Sequence, residues 1–276
     1  MKNYLLYLVS GHRGWLARQF IKICEIHGLR CVTFDGDLCD EELLSCGFVD
    51  EIVIVHFAGC KSNSDDLTLR NNIIATSQLV RLAMSVSCRH FILISSISAV
   101  GPTNNIVNSA TVCNPSSYYG KSKLICEKIV SSYLDNYTIV RPTNIVDGNR
   151  VGVLAQIYQS MKDCRPYEVW TQSLKSKRDY ISVNNVLEAI VNIAQNISLG
   201  IVQPMIINLG SGISYNMSDI LKLIEDRIQT SLDTSIICNY SFASYDLLVD
   251  NTDTVRVLGK KPDSLREIIN QCSWHI

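Results

Sequence analysis

The chain lacks an excess of either charge: 25 lysines and arginines stand against 26 acidic residues among 276. Such a balance gives no global pull toward nucleic acid or a membrane surface, and basic pairs such as Lys260-Lys261 read as solvated surface. No apolar run approaches the ~20 residues that a membrane-spanning helix requires. The 11 cysteines lack pattern: no two are spaced C-x-x-C and their number is odd, so neither a disulfide framework nor a zinc site is indicated. Buried free thiols in a reducing cytoplasm are the simple expectation. Internal repeats and low-complexity tracts are missing too. The short apolar start after Lys2 runs into a glycine turn without a cleavage-site pattern, so a strand is expected there and not a leader.

What is present is an ordinary globular composition, 47% apolar and 18% charged, in a chain long enough for one sizeable core with an elaborated end. Apolar runs bounded by turn signals recur: YLLYLVS, RCVTFD, EIVIVHFAG, HFILISS, YTIVRP and MIINLGSG. Most are separated by helical patterns such as NNIIATSQLVRLAMSV and KSKLICEKIVSSYL. Continuous apolar strands alternating with amphipathic helices predict an α/β, doubly wound parallel sheet covered on both faces. Residues 1–144 are expected to form a dinucleotide-binding domain. Residues 145–276 are expected to be mostly a smaller substrate-holding region, with some strands and helices returning to the first. Helices are expected near 151–162, 217–229 and 263–271, with a strand at RDYISV. In FDGDLCDEELL only a few residues separate Asp35 from Asp37-Leu38, so the sheet should lack a strand after the second or merge two.

Three motifs suggest chemistry. In YLVSGHRGWLARQF, Gly11, Gly14 and Ala17 take the spacing of a dinucleotide fingerprint, in which glycines let main-chain N–H groups approach a phosphate and a small residue lets the helix lie close on the strand. A tight turn between any strand and helix would look the same. Tyr119 and Lys123 are spaced i, i+4 on one helical face, where an ammonium near a phenol favours phenolate and proton exchange with an alcohol or carbonyl. The run HFILISS ends in Ser95 and Ser96, at the strand end where ligands of open parallel sheets bind.

With these motifs in this order, the chain resembles the extended short-chain dehydrogenase/reductases of the nucleotide-sugar epimerase, dehydratase and ketoreductase group. HFAG at 56–59, Asn72, RPTN at 141–144, KRDYISVNNV, INLGSGISYNMSDILKLIE and DNTDTVRVLGKKPDSLREII extend the likeness over nearly the whole chain. The resemblance implies NAD(P)(H) as cofactor, a nucleotide sugar as substrate, and a homodimer as the assembly to test for. It makes Tyr119 the general acid/base and has Ser96 hydrogen-bond the reacting oxygen, while Lys123 holds the nicotinamide ribose. It places Gly11, Arg13, Gly14, Trp15 and Leu16 at the pyrophosphate turn, Asp35, Asp37 and Leu38 at the adenosine, and Phe57, Ala58, Gly59 and Asn72 along the cofactor. Ser98, Asn144 and Arg178 would meet the substrate, with Arg178 on its diphosphate; a surface arginine is the plainer reading.

The loop GHRG is similar to that of GDP-fucose synthases, which implies that Arg13 clamps a 2′-phosphate. Asp35 argues the other way, since a carboxylate there normally accepts the ribose 2′-OH of NAD. NAD and NADP both stay open. The cysteine of those synthases is Ser98 here, and no histidine occurs from 91 to 274, so 3,5-epimerisation is not expected. Hydride chemistry at C4 remains. Reduction of a 4-keto-6-deoxy sugar nucleotide is the first expectation, 4-epimerisation the alternative, and a non-catalytic dinucleotide-binding regulator the second alternative. Val100, Val146 and Asp147 depart from the family's tyrosine and YG positions in the substrate pocket.

Overall fold

The computed structural model describes residues 5–34, 51–57, 59, 65–103, 105–148, 150–201, 205–238 and 245–274. The first half alternates strand and helix: β1 (Leu6–Ser10), α1 (Trp15–Ile26), β2 (Arg30–Thr33) and β3 (Ile52–His56), then α2 (Asp65–Thr68), which runs through a π-helical turn (Leu69–Ile74) into α3 (Ala75–Ser85). β4 (Cys88–Ile94), a 3₁₀ turn (Ile97–Ala99), α4 (Tyr118–Tyr133) and β5 (Tyr137–Pro142) follow. Beyond them come β6 (Asn144–Val146), α5 (Gly152–Lys162), β7 (Tyr167–Trp170), α6 (Thr171–Lys175), β8 (Arg178–Ser182), α7 (Val183–Ser198) and β9 (Met205–Leu209). The last elements are β10 (Ser214–Tyr215), α8 (Met217–Ile228), β11 (Thr234–Ile237), α9 (Thr252–Leu258) and α10 (Leu265–Gln271).

Six strands form the central parallel sheet in the order β2-β1-β3-β4-β5-β9. Every residue of β1 and β3 is buried, because helices cover both sheet faces and such strands read as unbroken apolar runs. Among the described residues only β2 lies outside β1 on that edge; residues 35–50, on which the expected shortening bears, lie outside the described residues. Leu6, Leu8, Ile54, Leu79, Phe91, Leu93 and Ile139 pack as one core. The expected helix over 71–86 begins instead within the π-helical turn, which directs the Asn72 carbonyl to two side chains, Thr76 and Cys126.

The chain divides into two compact units. One holds Met1–Gly101, Val112–Arg141 and Leu187–Ile207; the other holds Pro102–Thr111, Pro142–Val186 and Asn208–Ile276. The second unit has its own core of Val146, Leu154, Ile157, Tyr180, Met217, Ile220, Leu265 and Ile268. It contains two small sheets, β10-β8-β6 and β11-β7. Its helices α8 and α10 both start from complete capping boxes, Asn216 with Asp219 and Ser264 with Glu267, which satisfy first-turn N–H groups reciprocally. None of the eight described cysteines is in a disulfide, but not all are buried as expected: Cys164 and Cys238 are exposed. No helix among the described residues is long and apolar enough to cross a membrane.

Candidate active site

β1 ends at Ser10, and Gly11 turns the chain with φ +75°, a conformation that costs glycine little. Gly14 N–H closes the turn on the Gly11 carbonyl at 2.8 Å, and a Cβ at Gly14 would lie 3.1 Å from that oxygen. Gly14 is also the N-cap of α1, without a side-chain cap and with no acidic residue in the first turn, so the first N–H groups are available to an outside anion. Ala17 is buried against the sheet, and Trp15 and Leu16 are half-buried. Arg13 is exposed at the bend. Phe57 packs its ring on Phe20 of α1, with centroids 5.3 Å apart. Asp35, Asp37, Leu38 and Ala58 lie outside the described residues.

A chain of hydrogen bonds runs from this turn to α4. Thr76 gives its hydroxyl proton to the Asn72 carbonyl (2.6 Å), so it must accept from His56 Nε2–H (2.9 Å), which leaves His56 Nδ1 to accept from Ser10 (2.6 Å). Asn72 Nδ2 donates to the Ser122 hydroxyl (2.9 Å), which donates to the Tyr119 carbonyl (2.8 Å). His56 is fully buried, and burial, helped by the Lys123 ammonium, pushes its pKa down to about 3. It is therefore a neutral strut that ties β3 to β1 through Ser10 and to α3 through Thr76.

α4 carries Tyr119 and Lys123, and its first turn lies close against the 3₁₀ turn that follows β4. A Cβ at Gly120 would fall 2.2 Å from the Ser98 carbonyl, so only glycine allows this approach. Ser117 caps the helix by accepting from Gly120 N–H at 3.0 Å. Ser96, half-buried, accepts from Ser98 N–H at 3.2 Å, which leaves its own proton free to donate. Ser98 thus serves in the turn itself. Lys123 is buried, donates to the Ile94 carbonyl at the end of β4 (3.1 Å), and lies 6.0 Å from the centre of the Tyr119 ring. Gly59 is where the backbone approaches that ammonium, since a Cβ there would lie 2.8 Å from Lys123 Nζ and 3.0 Å from Asn72 Oδ1. Behind the helix, Glu127 accepts from Ser95 (2.5 Å) and, bidentately, from Arg141 Nε (2.9 Å) and Nη2 (2.5 Å). This buried ion pair fastens α4 to the ends of β4 and β5.

In the second unit, Asn144 bonds the Asp179 carbonyl (2.9 Å), a link between β6 and β8. Arg178 is half-buried and stacked on Tyr245.

Residues 7–210 match the model of the NAD dependent epimerase/dehydratase family. The chain belongs to this family. Among curated relatives it is similar to a UDP-glucose 4-epimerase of Yersinia pestis, 29% identical over 151 residues that cover 49% of this chain and 45% of the relative. A UDP-glucose 4-epimerase of Caenorhabditis elegans is 23% identical over 228 residues, 69% of this chain and 65% of the relative. The chain thus spans about half to two thirds of the length of these relatives. Its fold is shared with UDP-glucuronic acid 4-epimerase from Bacillus cereus in complex with UDP-glucuronic acid and NAD, at a TM-score of 0.81, 17% identity and 96% coverage of both chains.

The first unit fits the family's dinucleotide. Gly14 and Gly59 are cradles that a Cβ would fill, and the N-terminus of α1 carries uncapped donors. Among the described residues, no group of histidine, cysteine and carboxylate side chains could hold a metal ion. Sequence reasoning singled out Ser96, Tyr119, Lys123 and Asn72, and the structure gathers them in one unit; it missed His56, Gly120, Ser122 and Glu127. Glu127 alone had left a signal, being four residues beyond Lys123 on the same helical face.

Proposed function

We propose that this protein is a nucleotide-sugar 4-epimerase that uses NAD. The first expectation, reduction of a 4-keto-6-deoxy sugar, gives way to the alternative. What carries the choice is the likeness to two UDP-glucose 4-epimerases.

The open N–H groups of α1 with Gly11 and Gly14 would hold the pyrophosphate, and Lys123, beside Gly59 and Asn72, would hold the nicotinamide ribose. Bound NAD supplies an acceptor for a hydride and later its donor. Tyr119 takes the proton of the sugar C4 hydroxyl as the C4–H bond breaks, and returns it to the same oxygen once the ketone has presented its other face. Ser96 donates its free proton to that oxygen throughout. Gly120 and Glu127 hold Tyr119 in reach by fixing the helix, and the His56 chain ties the same helix to the glycine turn.

The test is to incubate the protein with NAD and UDP-glucose, UDP-glucuronic acid or UDP-N-acetylglucosamine and follow gluco/galacto interconversion. Equilibration of one pair without net cofactor consumption is expected. Stoichiometric loss of NADH or NADPH with a 4-keto-6-deoxy sugar nucleotide, and no interconversion, would restore the reductase.

A further inference from the structure

Arg178 opens β8 with its guanidinium carbon 4.1 Å from the centre of the Tyr245 ring. Through Nη1 it donates to the carbonyls of Lys177 (3.1 Å) and Tyr245. The segment carrying Tyr245 is fastened along its length. Lys177 N–H donates to Asp246 Oδ1 (2.7 Å), Leu247 N–H to the Lys177 carbonyl (2.9 Å) and Val249 N–H to Asp179 Oδ2 (3.4 Å). On its other side Val107 N–H donates to the Leu248 carbonyl and accepts at its own carbonyl from Asp250 N–H, both at 2.8 Å. Asp179, fully buried, also accepts from the Ser211 amide and hydroxyl and the Gly212 amide, so β8 is anchored directly behind Arg178. One face and the Nη1 corner of the guanidinium are thereby engaged. Among the described residues, Nε and Nη2 have no partner. These two form a fork of parallel donors, the geometry that suits two oxygens of a phosphate.

The family resemblance already puts Arg178 on the diphosphate of a nucleoside diphosphate sugar; resting on that nucleotide-sugar reading, we propose that Tyr245 is the positioning residue that presets the Arg178 fork. Stacking fixes the plane of the guanidinium before the ligand arrives, so less freedom is lost on binding. The ring supplies this effect, not the phenol hydroxyl. Phenylalanine therefore preserves the fork, and leucine leaves it free to rotate.

The experiment is calorimetric titration of the full chain with UDP, GDP, dTDP and uridine, for wild type, Tyr245→Phe, Tyr245→Leu and Arg178→Lys, with NAD titrated alongside. For the diphosphate that wild type prefers, Tyr245→Leu should weaken binding about tenfold and Tyr245→Phe less than about twofold. Arg178→Lys, having no fork, should lose at least as much as Tyr245→Leu. NAD and uridine affinities should not move, which separates positioning from a general structural defect. Unchanged or tighter diphosphate binding by Tyr245→Leu overturns the proposal, the tighter case marking the ring as an obstruction; so does a wild type that binds none of the three diphosphates. A wild type that shows this Tyr245 dependence but interconverts no sugar removes the 4-epimerase and leaves the fork. An active 4-epimerase whose KM and diphosphate affinity are unchanged by Tyr245→Leu removes the fork and leaves the epimerase.

Discussion

Acid should loosen the first unit through His56. In the folded protein burial and the Lys123 ammonium hold the imidazole neutral down to about pH 3, against an ordinary value of 6.5. A depressed folded pKa means that the unfolded chain binds the proton first, so stability is complete above pH 6.5 and is lost as the pH falls toward 3. Lost in full, this amounts to about 5 kcal/mol, and about 2.5 kcal/mol of it should be gone between pH 7 and pH 4.5. That is a large part of the ~5–15 kcal/mol by which domains are stable. His90, buried with Nε2 bonded to Thr138 and its pKa pushed down to about 4 by burial, adds a second loss over the same window. The assay is urea unfolding of wild type and His56→Asn at half-unit steps from pH 4.5 to 7.5. His56→Asn should be less stable than wild type at pH 7.5, because the Ser10 and Thr76 hydroxyls lose a partner. The gap should then close by about 2.5 kcal/mol toward pH 4.5, with a slope difference of about 1.4 kcal/mol per pH unit below pH 6. Carboxylates and His90 titrate in both proteins and cancel. Two parallel curves would refute the reasoning, since they would mean that His56 is protonated in the folded state or solvated on demand.

Tyr119→Phe should lower turnover by about two orders of magnitude or more while NAD binding, measured by fluorescence, persists; near-normal activity would remove Tyr119 as the acid/base. Glu127→Ala should cost about 3–5 kcal/mol in urea unfolding, because it leaves Arg141 charged and buried without its partner, and a cost under about 1 kcal/mol would mean that water reaches the pair. Gly120→Ala forces a methyl against the Ser98 carbonyl and should cost about 1–3 kcal/mol, with a fall in kcat larger than any change in NAD affinity as Tyr119 moves away from Ser96.

The strands β1, β3, β4 and β5 were legible because a parallel strand buried on both faces is dominated by apolar residues, and the chain writes that as LYLV in β1, IVIV in β3, FILI in β4 and TIV in β5. β7 and β11 were not. Each is four residues long with a mixed face, and among the described residues they pair with one another alone, across more than sixty residues of chain, so nothing local to YEVW or TSII specifies a strand. The site divides along the same line. Tyr119 and Lys123 announce themselves by a helical period, and Gly11 and Gly14 by the turn that they make, since the constraint on each lies within a few residues. Gly120, Ser122, Glu127 and His56 answer to Ser98, Asn72, Arg141, Ser10 and Thr76, which stand on other elements. A glycine in the first turn of a helix reads as a weak helix former until the carbonyl above it is known. His56 ends β3, and its two hydroxyl partners, Ser10 and Thr76, make it a neutral strut. The candidate residues Tyr119 and Lys123 could therefore be picked out by spacing together with the family resemblance, whereas the partners of Gly120, Ser122, Glu127 and His56 became visible only when the sheet had brought its distant segments together.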